Sequence, residues 1–481
     1  MPRRTIGRRS MTAAAAAATS ERMSRVDHAW LRMDSAANLM MIVGFWLLEP
    51  QLSLAELTRR IEHALLAYPR FRRKVVEDDA GARWVDDESF DIGHHVTREV
   101  LRGKHGEPAL DALKRRVAEL ATQPLDPSRP LWQFHLVEDL DGSQSAMICR
   151  IHHCIGDGIA LMSVTLSLAD GGKPPPQRRA RPDEDDDEHE GIADTLIKPF
   201  IGLTAKGMEA LMHPSGPMLG SIDAARIGAQ VAHDAAALLL MDDDSHTRLK
   251  GTATPGKRVA WGEPLPLDAV KAVSKAYAVS INDVLLSAAA GAIGAYLRSK
   301  GDDPSGQEIR AMVPVNLRPL DKAHELGNRF GLVPLVLPIG IAHPGERLYA
   351  VHARMNALKG SYQPLLAFAV LALSGLVVKP MQDLITGIFA KKATAVMTNV
   401  PGPKQLLHLC RRTVNQVMFW VPQSGDIGMG LSILSYAGGV QFGLITDARM
   451  CPDPEAIVRG FAPEFEQLLL LALMSPWPVL G

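Results

Sequence analysis

Cysteine is scarce in this chain: four residues in 481, at Cys149, Cys154, Cys410 and Cys451. Four cannot form a disulfide framework for a chain this long, and none of the spacings is Cys-x-x-Cys, so a reducing cytoplasm fits best. An excess of either charge is also missing. Fifty-two basic residues against 53 acidic ones leave a formal net charge of −1, which supplies no electrostatic case for a nucleic-acid partner. Long apolar runs are missing too. A membrane span needs about 20 apolar residues, and the nearest stretch, "PLLAFAVLALSGLVV" at 364–378, is interrupted by Ser374 and Gly375. It reads as a buried helix, with an interfacial or substrate-tunnel helix as the alternative.

What is present describes a globular protein. The composition is 47% hydrophobic and 22% charged, and at about 100–200 residues per domain the length favours two large halves. The opening "MPRRTIGRRSMTAAAAAATSERMS" sets basic residues before an alanine run. A secretion signal needs roughly 7–15 strongly apolar residues there, so residues 1–22 are expected to be a disordered extension, with an export signal as the alternative. At 171–191, "GGKPPPQRRARPDEDDDEHEG" turns Pro-rich, then basic, then acidic, with six consecutive carboxylates at 183–188. This predicts a solvated linker. The helical patterns that follow, within 192–248, either bridge the halves or lie on a membrane. The expected divisions are 1–22, 23–170, 171–255 and 256–481.

Both halves mix strand and helix signals. "MMIVGFWLLE" (40–49) is a continuous apolar run expected of a strand buried on both faces. "SLAELTRRIEHALLAYP" then spaces Leu54, Leu57, Ile61 and Leu65 as one helix face, ending by Pro69. "LWQFHLVEDL" and "SAMICRIHHCI", joined by "DGSQ", predict an antiparallel hairpin. In the second half "KRVAW", "EIRAMVPVNLRP", "NRFGLVPLVLPI" and "TAVMTNVPGP" read as strands, and "GLSILSYAGGVQFGLITD" as a hairpin turning at 437–439.

The chemistry concentrates in "RIHHCIGDGIAL" at 150–161. His152 and His153 stand at the exit of a core strand, and Gly156, Asp157 and Gly158 turn it into a helix. Neighbouring side chains on a strand point to opposite faces, so the two histidines cannot easily share a metal ion. A general base needs only one neutral imidazole facing a cavity with a fixed tautomer. His153 suits that role, with Asp157 as an organiser of the loop rather than a proton acceptor. The residues alone leave open a purely structural pair capping the strand. A second pair, His94 and His95, lacks the Asp-Gly and is expected at the half-exposed end of a strand.

"HHCIGDG" has the HHxxxDG form of the CoA-dependent acyltransferase superfamily. The wider chain resembles one branch, the bacterial wax ester synthase/acyl-CoA:diacylglycerol acyltransferases, through "MSRVDHAWLRMDSAANLMMIVG" (23–44), "YPRFRRKV" (68–75), "PLDPSRPLWQFHLVEDL" (124–140), "INDVLLSAAAGAI" (281–293), "MVPVNLRP" (312–319), "GNRFG" (327–331) and "TNVPGP" (398–403). The resemblance implies an α/β fold with mixed sheets, two acyltransferase-like domains and a tunnel between them. It implies transfer of a long-chain acyl group from acyl-CoA, as co-substrate, to a fatty alcohol or diacylglycerol, with no cofactor and no metal. His153 would be the base and Asp157 the brace, pairing with Arg72, while His152 and Gly158 would support the loop. Asn282, at a helix start, is the expected oxyanion donor or else an N-cap. Pro130, Leu131 and Trp132 would shape the acyl channel or pack the hairpin. Water-insoluble acceptors imply a peripheral place on a membrane or lipid droplet facing the cytoplasm.

Overall fold

The computed structural model describes residues 20–78, 81–101, 106–172, 233, 240–317, 326–358, 363–374 and 379–474. The acidic run at 183–188, nearly all of the 192–241 helical pattern and residues 1–19 lie outside the described residues. The first half runs through β1 (Ser20–Arg22), α1 (Arg25–Arg32), β2 (Met41–Glu49), α2 (Leu54–Ala64), β3 (Arg73–Asp78) and β4 (Gly81–Asp86). It continues with β5 (Val96–Glu99), α3 (Ala109–Ala121), β6 (Trp132–Val137), β7 (Ser145–His152) and α4 (Gly158–Ser167). The second half opens with β8 (Lys257–Trp261), β9 (Leu265–Pro266), α5 (Leu267–Ala276), α6 (Ile281–Ser299), β10 (Ile309–Asn316) and β11 (Phe330–Leu337). Three helices follow, α7 (Pro344–Leu358), α8 (Gln363–Ser374) and α9 (Lys379–Lys391). The chain closes with β12 (Ala395–Pro401), β13 (His408–Leu409), β14 (Arg412–Trp420), β15 (Met429–Tyr436), β16 (Gly439–Asp447) and α10 (Pro454–Met474).

Two large mixed sheets organise these elements. The first has strand order β13-β14-β2-β7-β6-β5, and the second β11-β10-β12-β15-β16-β8 with β9 alongside β16. The apolar run of β2 is central, and all its residues but Glu49 are buried. The β6–β7 hairpin is antiparallel, with Trp132 opposite Ile151. In the second sheet β10, β12 and β15 are parallel neighbours, while β15–β16 is antiparallel. The β15–β16 turn places Ala437 and Gly438 at φ of 48° and 82°, the left-handed pair that a two-residue hairpin turn with matching twist requires.

Local signals explain several helix ends. Ser53 and Glu56 form a reciprocal capping box at the start of α2, and the helix stops at Ala64, short of Pro69. Ser280 and Asp283 do the same for α6, which is buried along most of its length. β14 is among the elements that sequence patterning does not mark. It carries Arg412, Asn415 and Gln416 ahead of the short apolar run at 417–420 and shifts register between Val414 and Gln416, so no strict alternation runs along it. It leaves the second half to pair with β2 in the first sheet, Trp420 opposite Val43. Sheet membership therefore crosses the expected division at 256. Among the described residues no single helix is long and apolar enough to cross a membrane.

Candidate functional site

The end of β7 delivers His152 and His153 into a tight turn, and Asp157 then caps α4. His153 is buried, at 3% exposure, because its ring is stacked on Trp30 of α1, with ring centroids 4.2 Å apart and planes 18° apart. Phe330 of β11 approaches it at 5.4 Å. The same ring lines a cavity of about 370 Å³, within the range of small-molecule sites. Its wall is mostly apolar, with Met162, Met312, Leu332, Phe389 and Ile427 among the lining residues.

The tautomer of His153 follows from Asn328. The Asn328 Nδ2 donates to Asp27 Oδ1 at 2.7 Å and to the His153 carbonyl at 2.8 Å. Its Oδ1 is therefore the acceptor in the 2.8 Å contact with His153 Nδ1, and Nδ1 must carry the proton. Nε2 is left as the unprotonated nitrogen of a ring in the cavity wall. Burial lowers the His153 pKa from 6.5 to about 4, outweighing the bond from Asn328. The ring is neutral at ordinary pH. It is arranged to accept a proton at Nε2.

A buried chain of contacts stands behind Asn328. Asp27 also accepts from the Asn328 backbone N–H at 2.9 Å and pairs with Arg70 at 3.1 Å. Arg70 in turn donates to the Ile155 carbonyl at 2.9 Å, tying the network back to the histidine turn. Asp27, Arg70, Asn328 and Trp30 all escaped the sequence reading as site residues. Each lies in a stretch already singled out, "RVDHAW", "PRFRRKV" or "GNRFG", but no local pattern says that these stretches meet.

Asp157 sits where a brace should. Oδ1 accepts from Ala160 N–H at 3.0 Å, capping α4, and Oδ2 accepts from Arg329 N–H at 3.0 Å. Its own N–H donates to the Gly327 carbonyl at 3.3 Å, beside a parallel bridge between Gly156 and Gly327. Gly327 has φ of 109°, a conformation open to glycine and strained for other residues. The loop carrying Asn328 is thus clipped to the loop carrying His153.

The expected Arg72 partner is a correction. Arg72 follows the short turn Pro69–Phe71 and is exposed, whereas Arg70 within that turn is the buried arginine. Asn282 is also placed differently from the expectation. It is not the N-cap of α6, which is Ser280, and it does not line the cavity. Its Oδ1 accepts from Asn399 Nδ2 at 2.5 Å, and Asn399 is the residue in the cavity wall.

Pro130, Leu131 and Trp132 are buried outside that wall. Trp132 packs on His95, with centroids 4.4 Å apart, and donates from Nε1 to the Phe71 carbonyl at 2.8 Å, so its indole holds the hairpin. His95 is a core residue rather than a half-exposed one: it is 2% exposed and bonded through Nδ1 to the Trp132 carbonyl at 2.8 Å. His152 faces other partners than His153. The Cys154 N–H donates to its Nδ1 at 3.1 Å, and Asp34 lies 3.4 Å from its Nε2. Among the described residues no three metal-ligating side chains converge. Gly158, the first residue of α4, lines the cavity.

Comparison with known proteins places this geometry in context. Residues 23–285 match the wax ester synthase/diacylglycerol acyltransferase catalytic domain, and residues 326–469 match the C-terminal domain of the same family. A probable diacylglycerol O-acyltransferase of Mycobacterium tuberculosis is 28% identical over 399 residues, covering 82% of this chain and 83% of that protein. Another from the same organism is 28% identical over 462 residues, covering 92% and 97%. In three dimensions the chain resembles the wax ester synthase/diacylglycerol acyltransferase from Marinobacter aquaeolei, with a TM-score of 0.66 at 22% identity over 94% of this chain and 100% of that one. The first condensation domain of the calcium-dependent antibiotic synthetase gives 0.56 at 14% identity over 95% and 96%. These likenesses show a shared mixed α/β two-domain fold.

Proposed function

The chain belongs to the wax ester synthase/diacylglycerol acyltransferase family, and from that premise we propose that it transfers a long-chain acyl group from acyl-CoA to a fatty alcohol, a diacylglycerol or both. One observation carries this reading: a buried, neutral His153 whose Nδ1–H is committed to Asn328 and whose Nε2 belongs to the wall of an apolar cavity. Nε2 takes the proton from the acceptor hydroxyl as that oxygen bonds to the thioester carbonyl carbon. The tetrahedral intermediate then collapses with cleavage of the C–S bond, and the imidazolium returns its proton to the CoA thiolate. No acyl-enzyme is required. Asp157 keeps the Asn328 loop in register, and Asn282 contributes through Asn399, which it holds at the wall.

Apolar lining favours an acceptor that itself prefers lipid to water. That preference supports our proposal of a peripheral site on the cytoplasmic face of a membrane or on a lipid droplet. Met381, Leu384 and Ile388, at 48%, 59% and 48% exposure, recur at helical spacing along α9, while Phe389 and Ala390 of the same helix line the cavity. Flotation of the purified protein with lipid vesicles tests the placement: it is expected to rise with the lipid, and full recovery in the soluble fraction overturns it.

The activity is tested by thiol release from palmitoyl-CoA with hexadecanol, with dipalmitoylglycerol and with no acceptor. Acceptor-dependent release with a matching ester product is expected, and lost in His153→Ala with its circular dichroism intact. Saturable lipid binding without acceptor-dependent release would make the chain a lipid-binding protein of the same fold. Release with only amine or other alcohol acceptors would reassign the acceptor class.

A further inference from the structure

The imidazole of His153 has no carboxylate at its Nδ1. Among the described residues the group bonded there is the neutral Asn328 amide, with the Asp27 carboxylate one bond further back. Proton transfer nevertheless turns this buried ring into a cation in a mostly apolar cavity wall. Some nearby group must meet that charge as it forms, because a buried cation left unpaired is expensive. The group in closest parallel contact is the indole of Trp30, 4.2 Å away at 18°. Phe330 completes an aromatic wall, 5.4 Å from His153 and 5.7 Å from Trp30. The faces of aromatic rings are negative, and tryptophan attracts cations most strongly of all.

The geometry points to Trp30 as a positioning residue that also stabilises the transition state, its indole face attracting the imidazolium that forms on His153 during acyl transfer. The attraction is weak while the ring is neutral and strengthens as the proton arrives. It is therefore an interaction realised in the transition state, the kind that raises kcat rather than lowering KM. Packing holds the indole ready. Trp30 is 5% exposed on α1, and the next turn of the network begins three residues earlier at Asp27, so one short helix supplies both the face beneath the ring and the carboxylate behind Asn328. No atom needs to move for the charge to be met.

This inference rests on His153 acting as the base, and its test separates the two. Tryptophans carrying one, two and three ring fluorines, installed at position 30 alone, withdraw charge from the indole face with little change of shape. Single-turnover acyl transfer from palmitoyl-CoA to hexadecanol is then measured, together with the steady-state KM for palmitoyl-CoA. A stepwise fall with each fluorine, reaching about 10-fold, is expected, with KM unchanged; desolvated cation–π contacts support an effect of that order. Trp30→Phe is expected to lie within the series and Trp30→Leu at or beyond its end. A flat rate across the series overturns the proposal, as does an effect confined to KM, which would make Trp30 a wall for the acyl chain. His153→Ala is the separate control: if it retains turnover the base assignment fails, and if it is inactive while the fluorinated series is flat only the Trp30 inference fails.

Discussion

Asn328 grips His153 at two points: its Oδ1 accepts from the ring Nδ1 at 2.8 Å, and its Nδ2 donates to the same residue's carbonyl at 2.8 Å. One side chain thereby fixes both the tautomer of the base and the backbone that carries it. Replacing Asn328 with Ala removes the acceptor that selects Nδ1–H and strips a donor from the Asp27 carboxylate. A positioned general base contributes about 10²–10⁴-fold, so Asn328→Ala is expected to lower kcat by about 10²-fold or more while KM for acyl-CoA changes little. The buried groups left unsatisfied should cost about 1–3 kcal/mol of stability. Steady-state kinetics alongside a urea melt reads both effects.

The depressed pKa of His153 sets the pH response. The ring is basic only when neutral, so kcat/KM is expected to hold as pH falls through 6.5 and to decline around pH 4, the value to which burial lowers this group. The unfolded chain binds its proton near 6.5, whereas the folded ring resists protonation until about 4. Between those values acid favours unfolding. The stabilising contribution, on the order of 3 kcal/mol, is complete above pH 6.5 and lost as pH falls through 4. His153→Gln should flatten that part of the stability profile. An acid limb near pH 6.5 in the wild-type rate would mean that the ring is solvated.

How much of this was legible beforehand depended on sequence distance. The strand β7, its hairpin partner β6 and the glycine turn into α4 are local features, and residues 131–161 display them through an apolar run, a four-residue turn and an Asp-Gly step, although the role of Asp157 as the cap of α4 is not read from it. The partners of His153 are not local. Asn328 lies 175 positions away and Asp27 a further step back across the fold, 301 positions from Asn328. Periodicity reports which face of an element is buried, not which distant loop will be clipped to it. The expected pairing of Arg72 with Asp157 met the same limit: within "PRFRRKV" every arginine looks equivalent until the Pro69–Phe71 turn directs Arg70 inward, to Asp27. Ordered family motifs located the right neighbourhoods without specifying the atoms that meet.

Asp157 and Arg72 make a paired test of the brace. Asp157→Ala removes the cap of α4 and the acceptor for Arg329 N–H. Loss of such a cap costs about 0.5–2 kcal/mol, and loosening the loop that carries Asn328 is expected to cut kcat by at least about 10-fold. Arg72→Ala, at an exposed position, should change stability by less than about 0.5 kcal/mol and leave kcat intact. Equal damage from both substitutions would restore Arg72 as the partner of Asp157.

Gly158 separates a requirement of the fold from a requirement of the substrate. It is the first residue of α4, its φ is not positive, and a Cβ built on it meets no protein atom within 4 Å. Among the described residues nothing therefore needs glycine here. Alanine is the better helix former by about 1 kcal/mol in helix interiors, so Gly158→Ala should leave thermal stability unchanged or slightly raised. The added methyl would instead enter the cavity beside the histidine turn, because Gly158 belongs to its wall. If acyl-CoA or the acceptor passes this point on its way to His153, kcat/KM is expected to fall by about 10-fold in a protein that melts no earlier than wild type. Unimpaired turnover would place the substrate path along another side of the cavity. A lowered melting temperature would trace any loss of activity to the backbone rather than to the space that glycine leaves open.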